Sequence, residues 1–296
     1  MTDPLETIRW QCESQADAIR WACILEATAP KAGNVFPGRS FPDLRYVDFV
    51  TAAEITAEAF DRSAKPFSRT VCRIVESIAD QIGSNVNLGI LLLLGPLVQA
   101  DNSPHGPDDL SIWQESVANV LHSLTPEDSR NLYAAIRAAA PGGMGVATQM
   151  DLSGPPPKSF LAAMRSAKSR DRIAENYADG FTDLFQTVVP ILRESLQQRG
   201  DVLAGIADAH LHLLAERPDT LILRKFGPEA ARDVQRKVPA DRQDPRAIED
   251  FDRFLRQSES VPAAAIQTAL PRHPYNPGTT ADLIAAALYI LLRVKQ

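Results

Sequence analysis

Apolar side chains recur every three or four residues through most of this chain, the spacing that lines one face of an α-helix. Ile8, Cys12, Ala16, Ile19 and Cys23 form one such stripe and predict a first helix running through all five. Further helices are predicted over 47–62, 67–82, 87–99, 111–123, 127–139, 159–168, 170–198, 202–216, 219–226, 228–237, 246–257 and 279–294. Their starts carry capping chemistry: Thr125-Pro126-Glu127-Asp128 sets a hydroxyl, a first-turn proline and two acids in order. Period-two alternation rich in β-branched residues is scarce, so no sheet is expected and no strand-based nucleotide fold can be built. The run Ile90 to Val98, interrupted by Gly95 and Pro96, is far short of the ~20 residues that a membrane span needs, and reads as a core helix. The expectation is an all-α, single compact domain over 1–296 with buried central helices and no internal repeat.

Two stretches read as loop, Ala29 to Arg45 and Pro141 to Lys158. The second, with its Gly-Gly and Pro-Pro-Pro, is expected to be a surface loop or lid (about 141–158), because the helices flanking it are too apolar to stand alone. Composition adds limits. With 45% apolar and 23% charged residues over 296 positions the chain is ordinary globular material. A net charge of −6 gives no global pull toward nucleic acid or an anionic membrane, so neither is an expected partner. Three cysteines, two of them on the first apolar stripe, suit reduced thiols in a cytoplasmic protein better than a disulfide frame or a metal site. Met1-Thr2-Asp3-Pro4-Leu5-Glu6 carries acid where a signal peptide would be basic.

Three segments hold more chemistry than packing requires. Glu26 continues the Ile19–Cys23 stripe, so it points inward from the last turn of its helix, the negative end. Burial there disfavours its charge, and Lys31, Arg39 or a metal ion would supply the cation; a plain structural Glu26–Lys31 pair is the simpler account. Gly83-Ser84-Asn85-Val86-Asn87-Leu88-Gly89 opens a helix that is apolar on all sides. Free amides at such a start hold phosphate, although a cap by Asn85 and close packing at Gly89 explain the segment equally well. Asn276-Pro277-Gly278-Thr279-Thr280-Ala281-Asp282 opens the last helix, and Thr279 with Asp282 has capping-box spacing. Lower candidates are Arg170-Asp171-Arg172, and Asp219-Thr220 leading to Arg224-Lys225, which read as phosphate clamps or solvated faces. His210 and His212, two apart on a helix, point to different sides and are not expected to chelate.

Taken in order, these segments resemble the triphosphoribosyl-dephospho-CoA synthase family. The family's Glu-x-x-x-Pro-Lys-Pro-Gly-x-Val is matched by Glu26-Ala27-Thr28-Ala29-Pro30-Lys31-Ala32-Gly33-Asn34-Val35. Its Asn-Thr-His-Lys-Gly is matched in part by Asn85-Val86-Asn87-Leu88-Gly89, and its Pro-Gly-Gly-x-Ala-Asp-Leu-Leu by Pro277-Gly278-Thr279-Thr280-Ala281-Asp282-Leu283-Ile284. Asp219-Thr220 and Arg224 stand against its Asp-Thr…Arg segment. The resemblance implies transfer of triphosphoribose from ATP to the 2′-hydroxyl of dephospho-CoA, with loss of adenine. It implies Glu26, Asp43 and Asp282 as the acids for catalysis and for Mg²⁺. Lys31, Arg39, Asn85, Asn87, Gly89, Gly278 and Arg224 would hold nucleotide or phosphate. The chain departs from the pattern where the family carries Ala-His-Lys-Asp-Met: Ser40-Phe41-Pro42-Asp43-Leu44 keeps only the acid. Asn87-Leu88 likewise replaces a His-Lys pair. That is similar to a divergent branch of the family associated with one-carbon cofactor biosynthesis of the methanopterin or methanofuran type, which implies another phosphorylated cofactor precursor as substrate. A helical protein that binds nucleotide or cofactor without turnover is the alternative.

Overall fold

The structure, a computed structural model, describes residues 3–61, 66–84, 86–102, 109–139, 154–256 and 274–294. Every regular element among them is helical. The predicted first helix is two, α1 (Glu6–Trp10) and α2 (Gln15–Thr28). Ser14 between them is extended, accepts the Asp17 N–H and donates its own N–H to the Asp17 carboxylate. This capping box starts a new helix although the apolar spacing runs on across the break.

Next come α3 (Tyr46–Asp61), α4 (Phe67–Ile82), α5 (Leu88–Asp101), α6 (Leu110–His122) and α7 (Pro126–Ala139). Of the expected lid, residues 141–153 lie outside the described residues. Its end is strapped to α7, where Ser129 donates to the Pro157 carbonyl at 2.6 Å and Arg137 to that of Gly154.

The single helix expected over 170–198 is broken. After α8 (Phe160–Ala167) come α9 (Arg172–Ala178), a π-helical turn (Leu184–Val188) and α10 (Val189–Arg199). Gly180 and Phe181 take left-handed φ of 64° and 61° at the break. Asn176 holds it: its carbonyl oxygen accepts the Leu184 N–H at 3.0 Å and its amide donates to the Arg172 carbonyl at 2.8 Å. Then follow α11 (Val202–Glu216), α12 (Thr220–Arg236), α13 (Pro245–Arg256) and α14 (Gly278–Arg293). The two helices expected over 219–226 and 228–237 are the halves of α12, kinked at Gly227 (φ 87°, ψ 170°) before Pro228.

α5 and α14 are apolar on nearly every side because they are the interior. α14 packs against α2, α5, α10, α11 and α12. At the far ends of α5 and α14, Asp101 accepts from Tyr289 Oη at 2.6 Å and from Arg293 Nε at 2.8 Å, so this buried acid is paired and bonded. At their other ends Gly89 meets Asp282. The two central helices therefore run parallel. A smaller second core joins Leu211 and Leu214 of α11, Ile222 and Val234 of α12, and Phe251 and Leu255 of α13. No helix among the described residues is long and apolar enough to cross a membrane.

Candidate active site

Parallel packing brings the N-termini of α5 and α14, with the positive ends of their dipoles, to one end of the molecule. Asp282, one turn into α14, lies against Gly89 so closely that a Cβ on Gly89 would sit 2.0 Å from its Oδ2. Asp282 is not a cap. α14 begins at Gly278 after Pro277 and has no side-chain cap, so the expected Thr279–Asp282 box does not form. The Thr280 N–H and hydroxyl both donate instead to Asp219 Oδ2, each at 2.8 Å. Among the described residues no donor reaches the Asp282 carboxylate, which opens on a cavity. Its proton affinity is pushed well above the ordinary 3.8, first by burial and then by the charges of Glu26 and Asp219; Arg224 offsets part of this.

Asp219 rivets the start of α12 to the start of α14. One oxygen accepts the N–H groups of Leu221 at 2.8 Å and Ile222 at 3.1 Å, and the other accepts Thr280. Burial still raises its pKa against those bonds. One turn along α12, Arg224 donates to Asp171, which caps α9 through the N–H groups of Ile173 and Ala174. Arg224 Nε is buried without a partner among the described residues.

Glu26, 4% exposed in the last turn of α2, also lines the cavity. Lys31 is wholly buried behind it, 2.9 Å from Oε1, and donates to the Glu26 carbonyl as well. One ammonium thus answers both the carboxylate and the negative helix end. The following loop is fastened on two sides. Gly33 N–H donates to Asp252 on α13 at 2.7 Å, and Asn34 Nδ2 to Asn276 Oδ1 at 2.7 Å. The Oδ1 atoms of Asn34 and Asn87 are buried on the same cavity without hydrogen bonds among the described residues. Asn87 precedes α5 in a left-handed conformation (φ 71°) and gives it no side-chain cap.

The cavity measures about 310 Å³, at the lower end of the roughly 300–1,000 Å³ of small-molecule sites. Arg170 and Lys225 line it without an ion-pair partner among the described residues. A family model of ATP:dephospho-CoA triphosphoribosyl transferases matches residues 12–296. The chain belongs to that family. No curated protein matches it in sequence. A crystal structure of a candidate triphosphoribosyl-dephospho-CoA synthase from Archaeoglobus fulgidus is similar in fold. Its TM-score is 0.62 at 22% identity, covering 82% of this chain and 97% of that one.

As a triphosphoribosyl transferase it gathers its family motifs unevenly. Glu26, Asn87, Gly89, Arg224, Gly278 and Asp282 all line the cavity. Asp43 does not: it is exposed on the turn between Phe41 and Leu44. Arg39 is also exposed and outside the lining, paired with Glu249 at 2.8 Å. Phe41 is buried beneath Arg256, whose guanidinium stands 5.0 Å from its ring centroid, rather than facing the cavity. Asn85 lies outside the described residues. Gly278 serves packing, since a Cβ there would lie 2.7 Å from Leu221 Cδ2. Among the described residues no group of three or more His, Cys, Asp or Glu side chains is placed to hold a metal ion. The three-acid set of Glu26, Asp43 and Asp282 is therefore not assembled. His210 is fully buried and held neutral by burial and by Lys31, while His212 faces Glu216.

Asp219 does more than its local motif indicates. Its place before Thr220-Leu221-Ile222 is a legible cap, but its second oxygen serves Thr280, 61 residues away, which no local pattern signals. The cavity wall from α7 and α8 has no signal in the sequence, since apolar and aromatic residues such as Tyr133, Ile136 and Phe160 on a helix face are what packing alone would also require.

Proposed function

We propose that this transferase opens the bond between adenine and ribose C1′ of ATP and joins C1′ to an acceptor hydroxyl. The observation that carries the reading is Asp282, a carboxylate of raised proton affinity that no donor reaches among the described residues, on a cavity where Arg170 and Lys225 have no ion-pair partner among them. The acceptor O–H gives its proton to Asp282 as the C1′–N bond opens and the C1′–O bond forms. Adenine departs as the N9 anion and takes up the proton that Asp282 then releases, which regenerates the carboxylate and closes the count. Positive charge on the ribose ring during departure is stabilised by a nearby carboxylate, as in glycoside cleavage. A base works best when its pKa lies near the working pH, and a raised carboxylate pKa suits that task. Arg224 and the N-termini of α5 and α14 suit the triphosphate, which leaves Arg170 and Lys225 for charge on the acceptor.

The donors on the cavity fit Mg²⁺ in its usual mode, one or two carboxylates with the remaining places filled by phosphate oxygens and water. Glu26 would hold it, leaving Asp282 as base, and the ion would neutralise triphosphate charge. The narrower reading is an acceptor other than dephospho-CoA, in one-carbon cofactor biosynthesis of the methanopterin or methanofuran type. It is supported by the resemblance to a divergent branch and by Asn87 and Leu88 lining the cavity where the family carries His and Lys. The same replacements favour the competing reading, binding without turnover.

The test is adenine release from ATP and Mg²⁺, followed by mass spectrometry, with dephospho-CoA or fractionated cell metabolites as acceptors. Adenine should appear with one of the fractions. With dephospho-CoA the rate should fall well below the ~1–10³ s⁻¹ usual for an enzyme on its own substrate. Ordinary turnover on dephospho-CoA would sink the narrower reading. Bound ATP with no adenine from any acceptor would leave the non-catalytic one.

A further inference from the structure

The cavity is divided by element. Its charged and amide side chains come from the end of α2, the start of α5, and the segments opening α9, α12 and α14. From α7 and α8 come Tyr133, Ile136, Phe160, Ala163, Met164 and Ala167, with the exposed Ser166 beside them and no charged or amide side chain among the lining residues of those two helices. This part of the wall is firm. Phe160 is wholly buried and held edge-on by Tyr133 and Tyr177, with ring centroids 6.1 and 5.4 Å apart. Neither binding a triphosphate nor moving a proton uses such a surface.

We infer that the α7–α8 wall is a subsite for an aryl or branched hydrocarbon group of the acceptor, whose anionic end meets Arg170 and Lys225. A nucleobase suits it less. The ring nitrogens and amino group of adenine would meet at most the hydroxyls of Tyr133 and Ser166 on a wall that is otherwise hydrocarbon, and burying polar groups without partners is costly. A hydrocarbon ring has nothing to satisfy and gains with every part of its surface removed from water. That the ligand is the acceptor rests on the transferase reading above; the subsite itself is measured without turnover.

The probe is 1-naphthyl phosphate, fluorescent in its own right, titrated into the full-length protein beside inorganic phosphate. It should bind at least about tenfold more tightly than inorganic phosphate, with blue-shifted emission. Ala163→Trp fills the space and Met164→Glu sets a charge in it; both positions are partly exposed and tolerate new side chains. Each should abolish the preference and leave ATP affinity within about twofold. Equal affinities for the two phosphates in the unmutated protein would overturn the inference, whether or not a variant folds. So would a preference that survives both substitutions. A parallel loss of ATP affinity would assign the wall to the nucleobase and overturn it too. Adenine release reports on the transferase chemistry alone, so either result can fail while the other stands.

Discussion

Asp282 sits where a carboxylate is least at ease, between two helices with Glu26 and Asp219 nearby and no donor among the described residues to quiet it. Its proton affinity in the folded chain is raised above the ordinary 3.8. The unfolded chain therefore gives up this proton at lower pH than the folded one. Between the two values the folded state binds more protons, so stability falls as pH rises through the folded pKa and stays reduced above it. Asp282→Asn carries no such loss. Calorimetry should find the melting temperature of Asp282→Asn gaining on that of the unmutated protein from pH 4 to pH 8, while adenine release drops about 100-fold or more. A variant less stable at pH 8 would show that the acid serves the fold. Asp219 has the opposite standing: also buried and raised, but its bonds to Leu221, Ile222 and Thr280 make it structural. Glu26 was legible as a buried acid needing a cation, because the stripe that carries it is continuous, and Lys31 supplies that cation. Asp43 lies away from the site because its segment turns back on itself between Phe41 and Leu44, a local bend that no periodicity reports.

Helix periodicity was readable nearly everywhere, and helix breaks were not. Ser14 and the Gly180–Phe181 pair interrupt stripes whose apolar spacing continues, since the residues beyond each break face the same core. How closely two helices approach was equally hidden. Gly89 belongs to the crossing of α5 and α14, and its partner lies 193 positions on, at Asp282. Gly89→Ala would force the carboxylate or a helix to move. We expect a loss of about 1–3 kcal/mol in urea unfolding, the range for overpacking, with adenine release falling further than stability explains. Gly205→Ala gives the comparison: its Cβ would lie 2.7 Å from Leu196 Cα, so α11 and α10 must also part. That variant should lose comparable stability and keep its turnover. Equal activity losses in the two would reduce the Gly89 effect to packing.

Two cores of unequal size divide the molecule. The larger surrounds α5 and α14, and the smaller holds part of α11 with α12 and α13. Local opening costs least where little apolar surface is buried. Hydrogen exchange should thus be slowest in α5 and α14 and markedly faster in α13 and in α12 beyond Gly227. Uniform protection would show that the two cores open together. The cavity lies between the N-terminal ends of the slow helices and the first turn of α12, so its charged side is set partly by the looser layer.

The helical class, the buried central helices, the family and the acids to examine can all be read from the amino-acid sequence, because each is written in local spacing or in short motifs. Which of those acids meet depends on the packing of distant helices. Glu26 and Asp282 share a cavity while Asp43 does not, and Asp219 spends its second oxygen on Thr280. Tertiary structure also decides that Asp282 is no cap, since α14 starts at Gly278, before the residue that a Thr279 cap would require. The physical reason is common to all of these. Helix formation is a local bargain of spacing and caps, whereas burial, the loss of hydrogen-bond partners and the proton affinity that follows depend on segments far away in the chain.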